Sequence, residues 1–161
     1  MEVSFVIANT TDQFLEGRKL FEEYAASLNF NLCFQGFTEE LNQLDQQYNA
    51  PTGALIIAYV NTHAVAAVGI RQFELQKAEL KRMYTQPNYR GQKIGYTLLV
   101  KAINIAIELG YKQLLLDTLP EMKAAIKLYE DSGFLIIDPY RYNPFDTAIY
   151  MAKDLVSLNK I

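Results

Sequence analysis

Ala78-Glu79-Leu80-Lys81-Arg82-Met83-Tyr84-Thr85 is followed by the loop Pro87-Asn88-Tyr89-Arg90-Gly91-Gln92-Lys93-Ile94-Gly95, and later by Lys112-Gln113-Leu114-Leu115-Leu116-Asp117-Thr118. The first run reads as a strand, and Pro87, Asn88, Gly91 and Gly95 punctuate a loop. Between the loop and the last run, residues 96–109 carry Leu98, Leu99, Ala102, Ala106 and Leu109 at helical spacing, with Thr97, Lys101, Asn104 and Glu108 opposite them. That periodicity predicts an amphipathic helix, which Gly110 stops from the C′ position. Leu114-Leu115-Leu116 has no polar alternation, the pattern of a strand covered on both faces, as parallel strands are. Residues 78–118 therefore read as a βαβ unit.

The flanking sequence extends the same architecture. Residues 3–8 read as a first strand, and Thr10 or Thr11 offers a hydroxyl cap to a helix bearing Phe14, Leu15, Leu20, Phe21 and Tyr24. Residues 28–37 have no period. Thr38-Glu39-Glu40-Leu41 opens a second, shorter helix with Leu41, Leu44 and Tyr48 on one side, ended by Pro51 and Gly53. Residues 54–60 and 63–73 form a hairpin about Asn61-Thr62. Thr118-Leu119-Pro120-Glu121 matches a capping box with proline in the first turn. The helix it predicts ends at Ser132-Gly133, with Phe134 placed to pack back on Leu128 or Tyr129. Residues 134–137 and 147–152 supply the final strands. The expectation is one domain over residues 1–161, of α/β (α+β) class, with a mixed central sheet flanked by helices.

Composition narrows the chemistry. At 161 residues, 50% hydrophobic and 20% charged, the chain is an ordinary globular one and needs no second core. A net charge of -3 without a dense Lys/Arg cluster argues against a nucleic-acid partner. Cys33 and His63 are the sole members of their kinds, which removes disulfide frameworks, Cys/His zinc sites and most nucleophile–histidine triads. Both read as structural residues. The start, Met1-Glu2-Val3-Ser4, has no basic leader, and the longest apolar run, residues 54–60, is too short to span a bilayer. The expectation is a soluble, cytoplasmic protein with no metal and no membrane partner.

The loop 88–95 lies between a strand and a helix, where backbone N–H groups and the helix dipole converge on a place for an anion. Neither the Walker nor the Rossmann spacing of glycines fits Gly91 to Thr97. Taken alone, the loop reads equally as a phosphate cradle or as a plain connection.

Residues Glu79 to Thr85, then Pro87, then Tyr89-Arg90-Gly91-Gln92-Lys93-Ile94-Gly95 with Leu98-Leu99, resemble the acetyl-CoA motif of the GNAT superfamily of N-acetyltransferases. Leu128-Tyr129-Glu130 with Gly133-Phe134 resembles its second signature. Two positions depart from the pattern: Lys93 stands where glycine is usual, and Met122 where many relatives place an asparagine that bonds the pantetheine arm.

The resemblance implies a splayed GNAT sheet. Main-chain groups at Met83, Tyr84 and Thr85 would bind the pantetheine, and Arg90, Gly91, Gln92, Lys93, Ile94 and Gly95 the pyrophosphate. It implies acetyl-CoA as acyl donor and direct transfer, in a ternary complex, to a primary amine of a small molecule or peptide. A catalytically weak acyl-CoA sensor or assembly module is the alternative, and a homodimer is left open. Tyr129 occupies the general-acid position; its other reading is a core tyrosine packing on Phe134. Glu79 is the candidate general base, on the expectation that burial raises its pKa toward neutrality. Its other reading is a salt-bridged strand residue near Lys81 or Arg82. A backbone N–H near Met83 or Tyr84 is the expected oxyanion donor. The loop 140–145, with Arg141, borders the expected acceptor site, and Arg141 or Lys81 could grip an anionic group of the acceptor.

Overall fold

The computed structural model describes residues 2–28, 36–143 and 145–156. Its strands are β1 (Val3–Ile7), β2 (Ala54–Val60), β3 (His63–Glu74), β4 (Lys77–Thr85), β5 (Gln113–Thr118), β6 (Leu135–Ile137) and β7 (Ile149–Asp154). They join in one sheet of order β1-β2-β3-β4-β5-β7-β6, antiparallel throughout except for β4 beside β5.

Helices cover both faces of this sheet. α1 (Thr11–Ser27), α2 (Phe37–Asn42) and α3 (Leu44–Gln47) lie on one side, where Phe21, Tyr48, Leu55 and Ile57 form a core. α4 (Ile94–Glu108) and α5 (Lys123–Asp131) lie on the other, packing Leu98, Leu99 and Tyr129 against Ile56, Leu80 and Leu116. The opposite assignments of Ile56 and Ile57 follow from the two-residue period of a strand.

Local chemistry explains most element boundaries. The Thr10 hydroxyl accepts from Gln13 N at 3.2 Å, and the Gln13 side chain accepts in return from Thr10 N, so α1 begins with a complete capping box. Gly133, at φ +97°, ends the α5 segment, and Phe134 N donates to Tyr129 O at 3.0 Å. The Phe134 ring then rests 5.7 Å from that of Tyr129. At Gly69 a Cβ would meet the Tyr48 ring at 2.5 Å, so glycine there lets Tyr48 lie flat over β3.

Four elements differ in their boundaries from expectation. The last strand, expected over residues 147–152, is β7 over Ile149–Asp154. The second helix is two short ones, because Gln43 (φ -120°) breaks it. α5 starts at Lys123 with Met122 as its N-cap, because the Thr118 hydroxyl faces the Met122 sulfur at 3.5 Å instead of a helical N–H. α4 begins two residues early, at Ile94. Cys33 and most of the aperiodic stretch 28–37 lie outside the described residues.

The middle of the sheet is incompletely joined. β4 and β5 pair at only three positions, Lys77 with Gln113, Ala78 with Leu114 and Glu79 with Leu115. Past Glu79 the strands separate, leaving β4 without a sheet partner on the β5 side. On its other side β4 carries a bulge: Ala67 pairs with Tyr84 but Gly69 pairs with Lys81, which sets two β4 residues opposite Val68. Arg82 takes up the excess in the left-handed region, at φ +58°.

Candidate functional site

The open end of β4 forms one wall of a cavity of about 460 Å³. Met83, Tyr84 and Thr85 line it from the strand; Ala125 and Leu128 line it from α5; Tyr24 and Ser27 close it from α1. The loop completes it with Arg90, Gly91, Lys93, Ile94 and Gly95. Gln92 is the one proposed coenzyme contact that does not line the cavity. The Tyr84 wall and the α4 N-terminus therefore face a common space, which Leu128 lines and its sequence neighbour Tyr129 does not.

The loop is built for main-chain recognition. Gly91 sits at φ +79°, and a Cβ at this position would meet nothing within 4 Å, so conformation alone calls for glycine there. Lys93 is the N-cap of α4 at φ +64° and makes no side-chain capping bond. Thr97 N donates to Lys93 O at 3.0 Å, which leaves the N–H groups of Ile94, Gly95 and Tyr96 with no helical acceptor. Those donors, at the positive end of a 15-residue helix, suit a phosphate. The Arg90 side chain is otherwise engaged: its Nε donates to Thr85 O at 2.9 Å and its guanidinium lies 5.8 Å from the Tyr84 ring centre. Arg90 thus braces the end of β4.

Lys93 bears a side chain where the backbone conformation favours none. Lys93→Gly is expected to raise stability by about 0.5–1 kcal/mol, the left-handed strain less the added chain entropy of glycine. A rise in urea midpoint at unchanged m-value is the readout, and a lowered midpoint contradicts it.

On the α1–α3 face, β4 turns Glu79, Lys81 and, through the bulge, Arg82 into the protein. Glu40 of α2 meets Arg82 with two hydrogen bonds, to Nη2 at 2.9 Å and Nε at 3.2 Å, and accepts from Tyr48 Oη at 2.8 Å. Arg71 of β3 lies between the two carboxylates, 3.8 Å from Glu40 and 3.3 Å from Glu79. Glu79, only 1% exposed, also accepts from Tyr140 Oη at 3.0 Å and from Arg141 Nη2. Tyr140 is held edge-on by Phe73 and Tyr150, and Tyr150 Oη donates to Arg141 O at 3.0 Å. The loop after β6 is thereby tied to the centre of the sheet.

This geometry corrects one expectation. Burial does push the Glu79 carboxyl upward, but Lys81, Arg141, Arg71 and the Tyr140 hydroxyl outweigh it, and the net pKa is lowered. The salt-bridged reading of Glu79 has partners, and they are Arg71 and Arg141 rather than its strand neighbours. Glu40 behaves alike: burial raises it, Arg82 lowers it more. Lys81 is shifted down to about 8, by burial first and the Arg82 charge second.

Tyr129 is 7% exposed. Burial, followed by the charges of Tyr24 and Asp117, raises its phenol, so the proton is retained at neutral pH. Asp117, on β5 across the opening from Lys81, is a residue that sequence reasoning misses. Its Oδ2 is buried without a hydrogen-bond partner among the described residues. A signal for it exists: a carboxylate directly following three leucines in a strand. Glu40 offers no such signal, since an acidic residue in a first helical turn ordinarily faces water.

The model of the Acetyltransferase (GNAT) family matches residues 18–134. An uncharacterised N-acetyltransferase of Schizosaccharomyces pombe is 32% identical over 141 residues, covering 86% of each protein. An acetyltransferase of the GNAT family from Staphylococcus aureus has the same fold, with a TM-score of 0.78 over 96% of this chain and 100% of that one at 20% identity. PaiA N-acetyltransferase from Thermoplasma acidophilum, solved in complex with coenzyme A, gives 0.69 over 96% and 99% at 19% identity. The chain belongs to the GNAT family of acetyltransferases. Among the described residues no helix is long and apolar enough to cross a membrane.

Proposed function

We propose that the protein moves an acetyl group from acetyl-CoA directly to an amine. The carrying observation is the cavity that joins the unpartnered N–H groups of the α4 N-terminus to the open edge of β4 and ends beside α5. Acetyl-CoA supplies an acetyl group activated as a thioester. The N–H groups of residues 94–96 would hold its diphosphate, with Gly91 and Lys93 shaping the turn. The strand edge at Met83, Tyr84 and Thr85 would bind the pantetheine arm in the manner of an added strand. The bulge at Arg82 interrupts the ladder beside Met83, and an amide N–H at Met83 or Tyr84 is the proposed donor to the carbonyl oxygen as charge develops there.

As the new C–N bond forms and the C–S bond breaks, one proton must leave the amine and one must reach the sulfur. The Tyr129 hydroxyl, held protonated by its surroundings, is the proposed donor to sulfur. On the base side, Glu79 enters as the group that positions Arg71, Tyr140 and Arg141, because a lowered pKa and three engaged partners make it a weak proton acceptor. The carboxylate oxygen left open is Asp117 Oδ2, and removal of the amine proton is assigned to it, directly or through water.

A second reading, an acyl-CoA-binding module without turnover, is favoured by Met122, whose sulfur is engaged by Thr118 where many GNAT relatives offer an amide to the coenzyme. Calorimetry with acetyl-CoA, followed by thiol release across polyamines, amino acids, aminoglycosides and peptides, separates the two. Binding with amine-dependent thiol release is expected; binding with none supports the module, and no binding ends both.

A further inference from the structure

The β4–β5 opening brings together charges that the protein does not pair. Continuing the register of Lys77 with Gln113 and Glu79 with Leu115 would set Lys81 opposite Asp117, on one face of the sheet. The strands diverge first, and among the described residues Lys81 and Asp117 form no ion pair. Among the described residues the Lys81 ammonium makes no hydrogen bond or ion pair, although the residue is only 3% exposed. Asp117 Oδ2 and Arg141 Nε are likewise buried and unpartnered among those residues. Arg141 is fixed in place by Glu79, which takes one end of its guanidinium and leaves the Nε edge unbonded. Four cations, Arg71, Lys81, Arg82 and Arg141, stand against three carboxylates, Glu40, Glu79 and Asp117.

Burying unpaired charge in this way is costly unless a ligand completes it. A ligand that answers these groups carries opposite charges of its own: an ammonium for Asp117, and an anion for Lys81 and the Nε edge of Arg141. A carboxylate is the anion whose two oxygens can accept from both at once. We propose that the acceptor is an amino acid or a related small amino-carboxylate, its amine at Asp117 and its carboxylate at Lys81 and Arg141. The assignment rests on the transferase reading above, in which Asp117 takes the amine proton and Tyr129 supplies one to sulfur. An amine without the carboxylate would leave Lys81 unanswered and add a further positive charge beside it.

Matched acceptors test this with the full chain: amino acids against the same amines lacking the carboxylate, such as phenylalanine against phenethylamine, and against the amidated amino acid. Thiol release from acetyl-CoA gives kcat/KM, and calorimetry on the coenzyme A-loaded protein gives binding apart from turnover. The expected result is a preference of at least about 100-fold for the carboxylate member, the order of discrimination a site built for a polar group exerts against its absence. Lys81→Met should raise the KM for amino acids at least about tenfold while raising the melting midpoint, because an unpaired buried charge is exchanged for an apolar side chain of similar length. Equal rates for both members of each pair, or an amino-acid KM indifferent to Lys81→Met, overturn the proposal while leaving the transferase reading standing. Amino acids that bind without thiol release overturn their role as acceptor, and the transferase reading ends with them only if no other amine of the panel releases thiol. Amino acids that neither bind nor react overturn the assignment whatever other amine is acetylated.

Discussion

Tyr129→Phe is expected to lower kcat by about 100-fold or more, the usual contribution of a positioned acid, with little change in acetyl-CoA affinity or melting midpoint. The ring contact with Phe134 at 5.7 Å survives the substitution, and among the described residues the Tyr129 hydroxyl has no hydrogen bond to lose. The experiment therefore isolates the proton. Raising the pH should help to distinguish the acid from a packing residue: burial holds the phenol protonated, so the wild-type rate should keep its alkaline limb above the ordinary tyrosine range. Turnover by Tyr129→Phe at the wild-type rate would remove the group from the mechanism.

The largest stability effect is expected at Glu40. Removing one member of a buried, doubly bonded ion pair costs about 3–5 kcal/mol, because the partner charge stays behind. Glu40→Ala takes the carboxylate from Arg82, from Arg71 and from the Tyr48 hydroxyl at once. For a chain of this length the melting midpoint should fall by on the order of 10 °C. Glu40→Met combined with Arg82→Met should recover part of that loss, as an apolar pair replaces the ionic one.

The same pair sets an acid limit. The folded-state pKa of Glu40 is lowered, so the unfolded chain takes up a proton more readily. This contribution is fully present above about pH 4.5, the ordinary carboxylate value, and is lost as pH falls through the folded-state value. A Glu40→Gln protein should show a shallower loss of stability on acidification than the wild type. A midpoint for Glu40→Ala within a degree or two of wild type would contradict the whole account of this cluster.

The fold was largely legible because its signals are local. The triple leucine of β5, the period of α4 with Gly110 behind it, and Thr10 ahead of α1 each encode their element within a few residues. α5 was misplaced by that same locality: Thr118 and Glu121 have the spacing of a capping box, but the hydroxyl finds a methionine sulfur first. The turn ahead of α4 was legible too, since a glycine turn before a helix is a contiguous motif. The buried charge cluster was not. Glu79 has partners 8, 61 and 62 residues away, so nothing near it in the sequence announces that its pKa falls instead of rising. Asp117 carries a local signal in the leucines before it, but its relation to Lys81 shows only once two strands are seen to part beside it.

That parting has a mechanical result. The blocks β1–β4 and β5–β7–β6 are welded by three residue pairs at one end, like the arms of tongs. Each block keeps its own ladder while the far end stays parted, and one packed core beneath, from Leu80 and Leu98 to Leu114 and Leu116, holds the two blocks together. In the proposed transferase, donor and recipient would thus share the one gap between these blocks.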